Sequence, residues 1–203
     1  MDNAALSKGE RTRQVIMEAS YDLFIEHGYA ATSMRQIAKR AGLALGGIYN
    51  HFPNKEAIFS ELILERHPYW QILPIMLNAP AGDLEGFVRS AARTMVDELG
   101  RRPDFIKLML IEIVEFNGRN MPRIMERVLP DVLPLIQRFG QQKGLLRDIP
   151  PIIFFRAFLG LFFSYYITEL LIGDTPIIAN QNNALDHFVE IFLHGVLADK
   201  EPV

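Results

Sequence analysis

No cysteine occurs among the 203 residues. That absence excludes a disulfide framework, a cysteine nucleophile and any thiolate metal site, and it suits a reducing compartment. An uninterrupted membrane-length apolar run is also missing. The longest apolar stretch, Ile152 to Ile172, is broken by Arg156 and Glu169, which leave 12 uncharged residues between them. A bilayer span needs roughly 20, so this stretch reads as a buried core or interface helix and no membrane partner is expected. Met1 to Lys8 has neither the basic start nor the apolar run of a signal peptide, and a cytoplasmic location is expected. Period-two alternation and hairpin dipeptides are nearly absent, which argues against sheet. Neither sign of charge dominates: 21 Lys and Arg meet 24 Asp and Glu, for a net charge of −3. A polybasic, histone-like binder is excluded, but a local basic face is not. Met1 to Lys55 carries 7 basic and 5 acidic residues, against 14 and 19 in the remainder, so the N-terminal quarter is the more basic part.

What is present is apolar periodicity punctuated by Gly, Pro and Asn. With 49% apolar residues the chain can hold a core and is not disordered. A first helix is predicted over Glu10–His27, with Ile16, Ala19, Leu23 and Phe24 on one stripe and Gly28 as its stop. A second covers Met34–Ala41, opened by the capping-box pair Ser33 and Gln36. A short third covers Leu45–Phe52, and a fourth, capped by Asn54, runs to Pro68. The segment Asn78–Gly82 reads as a loop, and Asp83 is placed to cap a helix ending at Gly100. Further helices are predicted from Pro103 to Phe116, over Pro122–Lys143 with kinks at Pro130 and Pro134, over Pro151–Ile172 and over Ala184–Ala198. The fold class is therefore all-α, with no repeat and no low-complexity tract.

The informative stretch runs from Thr32 to Phe59. Two short helices meet at a tight turn through Ala41, Gly42 and Leu43, with Ile37, Ala38 and Ala41 facing inward on the first and Ile48 and Phe52 on the second. Gly42 permits the left-handed backbone that such a turn requires. This is helix-turn-helix geometry, whose second helix lies in a DNA major groove. Gly46 and Gly47 are poor helix formers, at about 1 kcal/mol each relative to Ala. Either they pack tightly on a neighbour or they offer bare backbone to a phosphate or a base edge. Tyr49 and His51 flank Asn50 and can supply donors to phosphate. Lys55 lies in the first turn of its helix, where the macrodipole disfavours a cation, and a phosphate contact accounts for it. Ser33 is a cap, and its helix end can also hold phosphate through its amides. Arg35 is either a solvated charge or a groove contact.

This stretch resembles the tetracycline-repressor (TetR) family of bacterial transcription regulators. From Thr12 to Leu64, the G-Y-x-x-T-S, I-A-x-x-A-G and G-I-Y-x-H-F-x-N-K-E pieces fall together at that family's spacing. Beyond Glu65 only the general pattern of helices supports the resemblance. It implies a three-helix DNA-binding domain over residues 1–55 and a larger helical domain over 56–203 for dimerisation and effector binding. It also implies phosphate or groove roles for the positions of Tyr49, His51 and Lys55. The family commonly has a polar or basic residue where Leu45 stands, and often Thr, Ala or Asn at Gly47. This chain thus has few hydrogen-bond donors at the leading end of its recognition helix. Ala44 and Leu45 are expected against thymine methyls, Asn50 at an adenine edge, and DNA shape is expected to carry more of the specificity.

For the larger part the resemblance implies a homodimer on a palindromic operator, released by a small effector. Leu185, Phe188, Val189, Phe192 and Val196 form one stripe, widened by Ile191 and Leu193 and expected to pair with a second copy beside Ile152–Ile172. Trp70, Met76, Phe105, Met109, Glu112, Phe116, Phe158, Phe162, Tyr165 and Tyr166 are candidate pocket residues, and a lipophilic or aromatic effector would suit such a lining. Glu112 or Glu115 is expected to be buried, paired with Arg156, Arg89 or Arg93 or facing a cationic ligand. No cofactor and no metal are expected, and no catalytic motif is present: there is no Gly-rich phosphate loop after a strand and no H-E-x-x-H. A helical regulator of the same fold answering to a protein partner, or without a small-molecule effector, is the alternative.

Overall fold

The structure, a computed structural model, describes residues 7–77, 84–140, 147–173, 175 and 183–196. Its described secondary structure is entirely helical, in ten elements: α1 (Lys8–His27), α2 (Met34–Arg40), α3 (Leu45–Tyr49), α4 (Lys55–Arg66), α5 (Tyr69–Leu77), α6 (Leu84–Gly100), α7 (Asp104–Phe116), α8 (Met121–Gly140), α9 (Pro151–Ile172) and α10 (Ala184–Val196). Two differences from the sequence reading concern α1 and α5. α1 starts two residues early, because Ser7 and Glu10 form a reciprocal capping box. α5 fills the interval between Pro68 and Asn78, for which the sequence reading names no element, and it continues through Pro74. The Asn78–Gly82 loop, the Asp83 cap and the chain beyond Val196 lie outside the described residues.

Packing divides the chain into two compact units, Met1–His67 with Pro103–Ile124, and Pro68–Arg102 with Met125–Val203. The first unit therefore extends past the 55–56 line drawn from the sequence and takes in α4 and α7, which pack on α1. Its centre is an aromatic cluster. Phe59 of α4 stacks on Phe116 of α7 at 4.7 Å with ring planes 6° apart, and Tyr29 meets both rings edge-on. Offset and edge-to-face pairs of this kind add to the stabilisation that burial alone provides.

The turn after α7 is closed from both sides. Asn117 (φ 51°) and Gly118 (φ 73°) reverse the chain. From inside, the fully buried carboxylate of Glu112 accepts the backbone N–H and the Nδ2–H of Asn120, at 2.6 and 2.7 Å. From outside, Arg119 pairs with Glu56 at 2.5 Å. Glu112 is thus the buried one of the two glutamates, but it is satisfied by its own turn. Of the three arginines offered as its partners, Arg89 pairs with Glu85 and Glu190 and Arg93 with Asp186, while Arg156 is exposed on α9.

In the second unit α6 packs against α5, α9 and α10. Phe192 of α10 lies within 6 Å of Phe154, Phe158 and Phe162 of α9, ring centre to ring centre, and the Tyr166 hydroxyl donates to the Leu99 carbonyl at 2.9 Å. α8 continues through Pro130 and Pro134. α9 is long and apolar enough to cross a membrane by length and composition. The side that carries Phe154, Phe158, Phe162 and Tyr166 is buried, while Ile153 and Leu171 are exposed.

His67, at the end of α4, is buried with its ring edge-on to Phe105 at 5.1 Å. Burial disfavours the imidazolium and pushes its pKa from 6.5 down to about 3. Between those two values the unfolded chain holds a proton that the folded chain does not. The resulting stability is complete above pH 6.5 and is lost progressively as pH falls through that window. Urea titrations at pH 7 and pH 5 should therefore give a lower midpoint at pH 5, and His67→Gln should shrink the difference between the two.

Candidate nucleic-acid interface

α2 is built to stop sharply. At its start Ser33 Oγ accepts the Gln36 N–H at 3.3 Å, while Gln36 Oε1 accepts the Ser33 N–H at 2.8 Å, the predicted capping box. At its end Leu43 N–H bonds to the Ala38 carbonyl at 2.9 Å and Gly42 N–H to that of Lys39 at 3.3 Å. That pair of bonds is a Schellman ending, and it requires the left-handed residue supplied by Gly42 at φ 67°. The chain then enters α3, which is only five residues long and has no side-chain cap at Ala44.

α3 is held by what it buries. Ile48 is 0% exposed and Phe52, just beyond the helix, 1%. The helix ends at Tyr49, three residues earlier than expected, because Asn50 caps it and Phe52 turns inward. Its other side is open. Leu45 is 37% and Tyr49 51% exposed, and Ala44, Gly46 and Asn50 are exposed with them. Gly47 and His51 are half-buried, while Ser33 and Arg35 are exposed on the neighbouring α2 segment. The structure therefore brings together on one surface most of the residues chosen for DNA contact. The two glycines are decided by geometry: a Cβ built on Gly46 or Gly47 meets nothing within 4 Å. Packing within the chain does not require them, and their bare backbone faces outward.

Lys55 departs from expectation. Its ammonium is half-buried and donates to the carbonyls of Tyr29 and Thr32 at 2.5 and 2.6 Å, while lying 4.0 Å from the centre of the Tyr29 ring. Burial pulls its pKa below the ordinary lysine value, and Glu115 partly opposes that. The lysine placed against phosphate is, in the free protein, a clamp on the loop before α2. Thr32, buried beside it, donates its hydroxyl to the Gly28 carbonyl at 2.8 Å.

Two residues of the site escaped the sequence reading. Arg13 of α1 donates to the His51 carbonyl at 2.9 Å and pairs through Nε and Nη2 with both carboxylate oxygens of Glu61 in α4. The available signal was that Arg13 stands one turn before Ile16, at the border of the apolar stripe of α1.

The pocket and dimer candidates are redistributed. Phe105, Glu112 and Phe116 are buried in the first unit, and Met109 is half-buried on the same helix, α7. Phe158, Phe162 and Tyr166 are buried in the second unit, where Trp70 and Tyr165 are half-buried. The Met76 side chain lies outside the described residues. A groove of about 700 Å³ in the first unit is lined by charged groups, among them Arg11, Glu18, Asp22, Arg40 and Arg66. It does not have the lining expected for a lipophilic ligand. Of the dimer stripe, Val189, Phe192 and Val196 are buried within the chain, and Leu185 and Phe188 are half-buried. The stripe that looked ready for a second copy is largely core, because α6 and α9 already cover it.

Residues 16–62, which span α1 to most of α4, match the family model described as bacterial regulatory proteins, tetR family. YvkB of Bacillus subtilis, an uncharacterized HTH-type transcriptional regulator, is 27% identical over 193 residues, covering 93% of this chain and 98% of that protein. Among solved structures, NalD of Pseudomonas aeruginosa, the secondary repressor of the MexAB-OprM multidrug efflux pump, superposes with a TM-score of 0.67 at 23% identity, covering 95% of this chain and 100% of its own. FadR of Bacillus halodurans, a fatty acid degradation regulator, gives 0.70 at 18% identity, covering 89% and 94%.

The Lys55 clamp predicts a stability effect. Lys55→Met leaves two carbonyls without their donor and should cost about 1–3 kcal/mol. A lower midpoint with an unchanged slope in urea unfolding would report it.

Proposed function

We propose that the chain is a DNA-binding transcription regulator of the tetR family, whose model its residues 16–62 match, and that it acts as a homodimeric, effector-released repressor on a palindromic operator. One observation carries the DNA side of the reading. α3 presents a surface-open pair of glycines beside Leu45, Tyr49 and Asn50, with nothing inside the chain to explain the missing side chains. Bare backbone at that place lets a phosphate or a base edge approach closely, while Ala44 and Leu45 offer apolar contact to thymine methyls and Asn50 a pair of donors and acceptors. Two such helices in a symmetric dimer would enter successive major grooves about 34–36 Å apart.

The dimer reading rests on faces that the chain leaves uncovered. On α9 Ile153, Ala157, Gly160, Ser164, Thr168 and Leu171 are exposed at spacings of three and four, which places them on one side. On α10 Ile191 is 62% exposed, with Gly195 one turn later also exposed. Small residues in the middle of the α9 face allow close helix approach. A second copy laid on these faces completes a four-helix bundle with isologous contacts. On α10 the face centres on Ile191, which only widened the stripe read in the sequence, rather than on the buried Phe192. The aromatic content of the second unit favours a lipophilic or aromatic effector, and a fold neighbour named for fatty acid degradation fits the same chemistry. Effector binding would release the operator by favouring a head spacing that the operator does not match. A cytoplasmic location at the nucleoid follows from this role.

Gly46→Ala tests the recognition surface. It should stabilise the folded chain by up to about 1 kcal/mol, because Ala favours helix and meets no neighbour. The same change should weaken binding to a duplex from the chain's own upstream region by about tenfold, the effect of one poor base contact. Equal or tighter binding would remove the close-approach reading. Ile191→Glu tests the dimer: sedimentation should show a monomer with unchanged helix content, whereas a dimer that survives this charge would place the interface elsewhere.

A further inference from the structure

The weakest point of the recognition surface is its own helix. α3 has five residues and no side-chain cap at its start, and just past its end the His51 and Phe52 N–H groups bond back to the Ile48 carbonyl. Something outside α3 must set its angle. We propose that Arg13 is the positioning residue that does so, acting on α3 through the His51 carbonyl and the Phe52 ring rather than touching DNA itself. The assignment rests on the reading of α3 as the DNA-contacting helix.

Three separate contacts converge on one guanidinium. Nη1 donates to the His51 carbonyl, two residues past the end of α3, at 2.9 Å. The guanidinium carbon lies 4.1 Å from the centre of the Phe52 ring, which is itself buried. Nε donates to Glu61 Oε1 at 2.5 Å, and Nη2 pairs with the other carboxylate oxygen. The planar fork thereby ties α1, the end of α3 and α4 together. Two of the three contacts use a property that lysine lacks, namely a flat face for the ring and parallel donors for the carboxylate. A cation near the C-terminal end of a helix also suits the local dipole. Glu61 has a second consequence. It neutralises the guanidinium, so the charge that would attract a phosphate is already paired.

Glu61 also separates positioning from simple electrostatics. Removing an acidic charge near a DNA-binding surface should, by charge alone, tighten binding. If Glu61 holds Arg13 and Arg13 holds α3, Glu61→Gln should weaken it. The experiment is fluorescence anisotropy with the full-length chain on a duplex from its own upstream region and on a scrambled duplex. Wild type, Glu61→Gln, Arg13→Lys and Arg13→Met are compared across a salt series, with binding corrected for the folded fraction from urea melts. The expected result is about tenfold weaker operator binding for Glu61→Gln, the size of one mismatched base pair. Binding to the scrambled duplex and the salt slope should stay unchanged. Arg13→Lys should be impaired as much as Arg13→Met although it keeps the charge.

Tighter or equal operator binding by Glu61→Gln, or full rescue by lysine, overturns the assignment. So does a salt slope reduced by about one in Arg13→Met, which would mark Arg13 as a phosphate contact in its own right. Should Arg13→Met fail to fold, Glu61→Gln and Arg13→Lys decide the matter alone. A wild-type chain that ignores both duplexes removes the reading of α3 and the role of Arg13 with it. A wild-type chain that binds while Glu61→Gln stays unimpaired removes Arg13 only.

Discussion

A five-residue helix does not persist in water by itself, because nucleation fixes several residues for a single hydrogen bond. The helix proposed to face DNA, α3, is such a helix. Its existence depends on the burial of Ile48 and Phe52, with α3 packed on α2 and the Arg13 guanidinium of α1 lying over the Phe52 ring. The remaining features of the N-terminal unit follow from that dependence. The Schellman turn at Gly42 sets where α3 begins, Arg13 holds the His51 carbonyl just past its end, and Lys55 ties down the loop that leads into α2. The outward face is released from structural duty, which is why it can carry two glycines and an exposed Leu45.

The unit that supports α3 is not a continuous piece of chain. α7 joins α1 and α4 through the Phe59–Phe116 stack, and the turn after it is secured by Glu112 and Arg119. α8 starts in the same unit and continues in the other. A change in the course of α8 therefore has a covalent path to the Asn117–Asn120 turn, and from there to Glu56 in the first turn of α4.

Much of this was legible in the sequence where local chemistry decides the outcome. The Ser33 and Gln36 capping box, the glycine turn at Gly42 and the inward Ile37, Ala38, Ile48 and Phe52 are short-range rules, and they appear in the structure. What could not be read were choices made by distant neighbours. Phe116 and Phe105 look like pocket aromatics until α7 is known to pack on α1 and α4. Phe192 and Ile191 are adjacent apolar residues, and only the position of α9 decides which one is core. Lys55 is basic in a basic region, so a phosphate role is natural until the Tyr29 and Thr32 carbonyls are found beneath it. The glycines at 46 and 47 lie between these cases, since sequence flagged them but could not say which side was open.

The split composition of the N-terminal unit also has a bearing on biosynthesis. Phe59 meets its stacking partner only when Phe116 has been made, and the aromatic centre lacks one ring until then. Domains usually fold in order as the chain leaves the ribosome. Here the first 67 residues emerge with an incomplete apolar face and must wait for residues 103–124 before it is covered. A nascent chain stalled in between would leave Tyr29 and Phe59 without the Phe116 ring that completes their cluster.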